Sequence, residues 1–190
     1  MGCKVNTPWH RYALIAELAQ RLEGKSAQFG KTSLQKMVYL LQELENVSTN
    51  YKFSLYTHGP FTAQLLGDLD LVEALGAVKV QYVPSGYGGY QISPSTELKA
   101  IRDKAPEFLD ENRDAIDKVV DEFGEFSAKE LELRSTIVYL DRETKRSKKS
   151  LDRSGFIGLI KKIKPRFSEE TIEKALVKLE KNNYLKSLAN

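Results

Sequence analysis

Cysteine and histidine, which build most disulfides and transition-metal sites, are nearly absent from this sequence. Its 190 residues include one cysteine, Cys3, and two histidines. One cysteine cannot form an internal disulfide or a cysteine-based zinc site, and two histidines cannot form a histidine-rich metal cage. The sequence therefore predicts no metal and no other cofactor. The low cysteine content favours a reducing, cytoplasmic compartment.

Long apolar runs are absent as well. No stretch approaches the roughly 18 apolar residues of a membrane-spanning helix, so no membrane association is predicted. The first residues, MGCKVNTPWHRYAL, lack the apolar core of a secretory signal. Myristoylation of Gly2 would need serine or threonine where Asn6 stands. The net charge of +3 does not by itself indicate a nucleic-acid-binding protein.

Helical periodicity dominates the first half of the chain. Apolar residues recur at helical spacing over residues 9–23 and again over residues 32–46. Residues 51–56, YKFSLY, alternate between apolar and polar side chains, which predicts a short strand. Pro60 would stand in the first turn of a third helix, residues 60–75, where proline is tolerated. Alternating segments around PSGYGGY then predict a β-hairpin.

The order helix, helix, strand, helix, hairpin is close to that of a winged helix. We therefore assign residues 1–94 to one domain, with the hairpin as its wing. Residues 95–190 include a capping box formed by Ser127 and Glu130, and they predict a helical second domain with winged-helix character. Residues 141–150 are polar and basic and are expected to form a loop. The predicted fold class is mainly α with a small β-hairpin, built as two winged-helix-like helical subdomains.

Three residues, His58, Asp68 and Asp70, raise the alternative of a metal-dependent hydrolase. In a regular helix Asp68 and Asp70 point about 200° apart, so they cannot ligate one ion. We interpret both aspartates as part of a solvated acidic face, and His58 as a turn residue bound to a backbone carbonyl. The sequence therefore predicts no catalytic residue, no metal ligand and no enzymatic activity, with the hydrolase kept as an alternative.

Tyr82, Tyr87 and Tyr90 belong to the predicted hairpin. Tyrosines on an exposed hairpin are typical contacts with a partner protein. Packing of aromatic rings across the two strands would explain the same residues. The sequence leaves both interpretations open.

Basic residues are concentrated between residues 142 and 166. Those that would contact phosphates in a nucleic-acid-binding protein are Arg142, Lys145, Arg146, Lys148, Lys149, Arg153, Lys161 and Lys162. The other interpretation is a solvated surface that neutralises the acidic segment 106–123, within the chain or across a dimer. Helix 60–75 has no lysine or arginine and several acidic residues, which disfavours its insertion into a DNA groove.

Short motifs within residues 31–94 are similar to those of a known family. They are Leu34-Gln35-Lys36 on the second predicted helix, His58-Gly59-Pro60 before the third, and Leu75-Gly76 at its end. In these motifs the chain resembles YwgA-like proteins, which are related to the Panacea-type antitoxin domain. The resemblance implies a helical domain that neutralises a toxin, in some cases within a mobile or defence locus. It carries over no catalytic residue.

Together these patterns predict a non-enzymatic, antitoxin-like regulatory protein of a bacterium or archaeon. Its expected partner is a protein, such as a toxin or a defence-system component. The residues predicted to bind that partner are Leu34, Gln35, Lys36, His58, Gly59, Pro60, Tyr82, Tyr87 and Tyr90. The alternative is a winged-helix regulator that binds nucleic acid through the basic segment. The oligomeric state stays open, with a dimer as one option.

Overall fold

The structure is a computed structural model that describes residues 7–84, 88–147 and 151–186. Three residues predicted to bind a partner or nucleic acid, Tyr87, Lys148 and Lys149, lie outside these ranges. Within them the chain is mainly α-helical and has two antiparallel sheets of two strands each, which confirms the predicted fold class. No helix in the described ranges combines the length and the apolar character needed to cross a membrane.

The elements are numbered in chain order. They are α1 (Trp9–Leu22), α2 (Lys31–Glu45), β1 (Ser54–Tyr56), β2 (Gly59–Phe61), α3 (Ala63–Ala74), β3 (Val78–Val83), β4 (Gly89–Pro94), α4 (Leu98–Arg102), α5 (Pro106–Glu111), α6 (Arg113–Phe123), α7 (Ala128–Arg146), α8 (Arg153–Ile163) and α9 (Glu169–Lys181).

Helices α1 and α2 form where their apolar periodicity predicts them. Both bury an apolar face in the core. α2 ends because Asn46 adopts a left-handed conformation, with φ of 58°, and its N–H bonds back to the Leu41 carbonyl. Asparagine tolerates this conformation better than most residues, so it is a common helix stop.

Residues 59–61 form a strand, so the prediction that Pro60 lies in the first turn of a helix was wrong. β2 pairs antiparallel with β1, with Leu55 opposite Pro60, and α3 begins only after this strand. Gly59 has φ of +88°, which no helical turn allows. The Pro60 carbonyl accepts a hydrogen bond from the buried ammonium of Lys36 at 2.8 Å. A tertiary contact therefore holds the backbone extended.

β3 and β4 form the predicted hairpin, with Val80 opposite Ile92 and Tyr82 opposite Tyr90. Alternate residues of a strand share a face, so Val78, Val80, Tyr82 and their partners make one apolar face. This face is buried at the base, at Val78 and Ile92, and exposed at the outer end, at Tyr82 and Tyr90. The hairpin therefore carries an apolar face beyond the core and into solvent.

The acidic segment 106–123 forms two helices, α5 and α6, and α1 and the residues after it supply cations to the second. Asp117 pairs with Arg21, and Asp121 Oδ1 lies 2.7 Å from Lys25 Nζ. The basic segment forms no ion pair with these acids in the described ranges, so the alternative in which it neutralises them within the chain is not supported there. Neutralisation across a dimer stays a prediction.

Helix α7 extends six residues into segment 141–150, so the prediction of a loop was wrong there. Asp141 and Arg142 are buried. The Asp141 carboxylate accepts the Lys186 backbone N–H at 2.9 Å, and Arg142 donates to the Tyr184 carbonyl at 3.0 Å. These tertiary hydrogen bonds explain why a polar stretch continues as a helix. The capping box predicted at the start of α7 is present.

Residues of both predicted domains contribute to one hydrophobic cluster. α2 packs on α6 and α7, and α1 packs on α4. Segments 1–94 and 95–190 therefore do not have separate cores in the described ranges. The described part of the second segment contains helices and no strand, so the wing of its predicted winged-helix character is not found there.

Candidate partner-binding site

The motif Leu34-Gln35-Lys36 is buried, so these three residues cannot contact a partner in this conformation. Gln35 forms a two-way hydrogen bond with the backbone of Thr62, at 2.8 Å and 3.0 Å. Lys36 donates to the Pro60 carbonyl. The prediction of direct partner contacts by this motif was therefore wrong. Its side chains instead hold the turn between β1 and β2.

The β1–β2 turn packs closely against α7 at Gly59, which is buried. A Cβ atom at this position would lie 3.1 Å from Thr136 Oγ1 and 3.4 Å from the Glu132 carbonyl oxygen. Together with the left-handed φ, this crowding restricts the position to glycine. Pro60 is also buried, whereas the His58 side chain is 62% exposed. Of this predicted motif, only His58 is available to a partner.

Glu132 of α7 is buried beneath the turn and contacts three basic side chains. Lys164 Nζ lies 2.8 Å from its Oε1 and also donates to the Thr57 carbonyl. Arg166 donates to Oε2, and His58 Nδ1 lies 3.2 Å from the same oxygen. The prediction that His58 binds a backbone carbonyl was wrong, because its partner is this carboxylate. We call His58, Lys36, Glu132, Lys164 and Arg166 the turn cluster.

The turn cluster holds more positive than negative charge. Burial lowers the pKa of Lys36 to about 8, which leaves its ammonium mostly protonated at neutral pH. Burial alone would raise the pKa of Glu132, but its bonds to Lys164 and the charge of Arg166 outweigh this and lower it. Three cations, Lys36, Lys164 and Arg166, therefore surround one ionised carboxylate.

The lowered pKa of Lys36 predicts a pH-dependent stability. Between the folded value of about 8 and the ordinary value of 10.5, the unfolded chain holds the proton and the folded chain does not. The free energy of unfolding therefore rises with pH across this window. We compare the free energy of unfolding of the wild type with that of Lys36→Met, both measured by urea unfolding. The wild-type value minus the variant value is expected to rise by about 2 kcal/mol from pH 8 to pH 10.

Lys162→Met, at an exposed lysine, is the control for this measurement. Its free energy of unfolding should follow that of the wild type at every pH. Parallel pH profiles of the wild type and Lys36→Met would show that Lys36 has the same pKa in the folded and the unfolded chain, and would contradict the lowered value.

Tyr82 and Tyr90 pack against each other across the strands, as one interpretation of the sequence predicted, and the other interpretation, contact with a partner, stays a prediction. The Tyr82 and Tyr90 rings pack edge to face across the strands, with centroids 5.7 Å apart. They nevertheless remain 63% and 43% exposed. The ammonium of Lys31 lies 4.3 Å from the centre of the Tyr90 ring, so the pair is fixed to the start of α2. The tyrosines thus form a rigid aromatic surface that is open to solvent.

Exposed apolar side chains are concentrated in one segment of the chain. In the described ranges, six large hydrophobic residues are exposed, and five of them lie between residues 56 and 90. We call these five the apolar surface residues; they are Tyr56, Leu71, Leu75, Tyr82 and Tyr90. Leu75 lies directly after α3, as its C-cap, and is exposed.

Helix α2 brings the hairpin and the β1–β2 turn close together. Lys31 contacts Tyr90, and Gln35 binds Thr62 at the end of β2. Lys31 and Gln35 are four residues apart, which places them about 6 Å apart along the helix. The hairpin and the turn therefore flank the same half of α2. Tyr56, the last residue before the turn, packs against Phe61 of the neighbouring strand.

His58, Asp68 and Asp70 do not form a common site. Asp68 is buried and accepts the Tyr51 hydroxyl at 2.6 Å, so its predicted place on a solvated face was wrong. Burial and this hydrogen bond raise the pKa of Tyr51. Asp70 is exposed, as predicted. Among the described residues, no group of three or more metal-ligating side chains is close enough to hold an ion.

Most of the basic segment is engaged within the chain. Arg142 is buried, Arg146 pairs with Glu143, and Arg153 binds two glutamates of α9. Lys161 donates to two backbone carbonyls. Of the eight residues predicted to contact phosphates, only Lys145 and Lys162 are exposed without a partner among the described residues. A continuous phosphate-binding surface is therefore not formed in the described ranges.

No family model matches the chain, and no curated protein matches it either. The relation to YwgA-like and Panacea-type proteins thus stays a prediction from three short motifs.

Proposed function

We propose that this chain is a non-enzymatic regulatory protein of the prokaryotic cytoplasm that binds and neutralises a partner protein, as an antitoxin does. The concentration of exposed apolar side chains between residues 56 and 90 carries this proposal. Large apolar side chains that are left exposed and lie together are typical of a protein interface. Aromatic residues held rigidly, as Tyr82 and Tyr90 are, make effective anchors in such an interface.

Helix α3 also favours a protein over a nucleic acid as the partner. In a winged helix, the corresponding helix enters the major groove. Here α3 contains no lysine or arginine, and its outer side carries Leu71 together with the charges of Asp70 and Glu73. Such a face is repelled by phosphates and offers apolar contact instead.

Co-expression with the product of the adjacent gene tests this proposal. If that product is a toxin, growth should be arrested when it is expressed alone and restored when this chain is present. The two proteins should also purify as a stable complex. A chain that neither binds the adjacent product nor protects against it, and that turns over a substrate when pure, would contradict the proposal.

A further inference from the structure

The turn cluster lies at the β1–β2 turn, which directly follows Tyr56, one of the apolar surface residues. Its two accessible basic side chains are those of His58 and Arg166, which are 62% and 45% exposed. Both side chains contact Glu132, which is 2% exposed and also contacts Lys164. Their other sides face the solvent. The single carboxylate is thus used internally, and the positive charge is presented outward.

The cations retain unused hydrogen-bond donors. A guanidinium has five N–H groups, and Arg166 donates only to Glu132 Oε2 among the described residues. Behind it, the buried ammonium groups of Lys36 and Lys164 add to the positive potential, which is little screened by water. A carboxylate that approaches Arg166 would meet free donors and an excess of positive charge.

An aromatic side chain lies at the end of β1, directly before the β1–β2 turn. Tyr56 precedes His58 by two residues, is 67% exposed, and packs on Phe61. We infer that the turn cluster and Tyr56 together bind an acidic segment of the partner protein, one that carries carboxylates beside an apolar side chain. This inference rests on the proposed function and specifies the chemistry of the partner.

An acidic peptide fits this site better than a nucleic acid does. The accessible cations form one compact pair rather than a row that could follow successive phosphates. Most other arginines of the basic segment are paired internally with glutamates. The exposed apolar residue closest to His58 in the chain is Tyr56, and the two strands that flank the turn, β1 and β2, contain no charged residue.

Titration of the ¹⁵N-labelled full chain with three synthetic peptides tests the inference. The peptides have a tryptophan flanked by glutamates, by glutamines or by lysines. The glutamate peptide should shift the amide signals of residues 56–61 and the Arg166 Nε–H signal, and it should bind more weakly as salt increases. Arg166→Gln should weaken its binding about tenfold.

Arg146→Gln is the matched control, because Arg146 is also exposed to solvent, at 65% of its side chain, and also pairs with a glutamate. It should leave peptide binding unchanged. Equal shifts with all three peptides, no shifts at all, or equal losses in the two arginine variants would overturn the inference. A stronger response to a single-stranded oligonucleotide than to the glutamate peptide would also overturn it, in favour of nucleic acid.

The partner complex separates this inference from the proposed function. If Arg166→Gln leaves binding of the adjacent gene product unchanged while loss of the hairpin tyrosines abolishes it, the acidic-segment inference fails and the proposed function stands. If the wild-type chain forms no complex with the adjacent gene product, the proposed function fails as well.

Discussion

Glu132→Ala is expected to lower the free energy of unfolding by about 3–5 kcal/mol, the largest stability effect predicted for this chain. The substitution leaves Lys164, which is 4% exposed, without a counter-charge, and it also releases Arg166 and His58. An uncompensated buried ammonium is far more costly than the pair. Urea unfolding followed by circular dichroism measures the change.

Two further variants make this prediction specific. Glu143→Ala removes an exposed glutamate from the same helix and should cost about 0.5 kcal/mol or less. Combining Glu132→Ala with Lys164→Met should recover much of the lost stability, because both buried charges are then absent. A loss below about 1 kcal/mol in Glu132→Ala, or no recovery in the double variant, would contradict a buried ion pair.

Local sequence patterns predicted most of the secondary structure. The periodicity of α1 and α2 and the alternation of β3 and β4 depend on neighbouring residues, and these elements form as expected. The strand at Gly59–Phe61 and the helical residues after Leu140 were not predicted. Their conformations depend on hydrogen bonds from Lys36 to Pro60 and from Lys186 to Asp141, which join distant parts of the chain. A local pattern contains no information about such partners.

The candidate site was predictable only in part. His58 lies in a turn, and Tyr82 and Tyr90 lie on the strands of the predicted hairpin; all three were singled out from the sequence and are exposed. Glu132 lies 74 residues from His58 in the chain, and Thr57 lies 107 residues from Lys164. Only the packing of α7 and the α8–α9 connection against the turn brings them together. The motif Leu34-Gln35-Lys36 was predicted to contact a partner, because the polar pair Gln35-Lys36 gives no sign in the sequence that it will be buried.

Replacing both hairpin tyrosines, Tyr82→Ser with Tyr90→Ser, is expected to weaken partner binding at least about 100-fold, since each buried aromatic anchor contributes about 2 kcal/mol. The tyrosines are exposed in the free chain, so the fold should lose only their ring–ring contact and the contact of Tyr90 with Lys31, each worth about 1 kcal/mol or less. Gln81→Ser with Gln91→Ser is the matched control. These glutamines form the adjacent cross-strand pair, whose side chains lie on the opposite face of the hairpin.

The dissociation constant of the chain and its partner, measured by isothermal titration calorimetry for these two double variants, tests the central claim most directly. Binding should be lost in the tyrosine variant and kept in the glutamine variant, with both proteins folded. Equal affinity in the wild type and the tyrosine variant would show that the apolar surface is not the binding site.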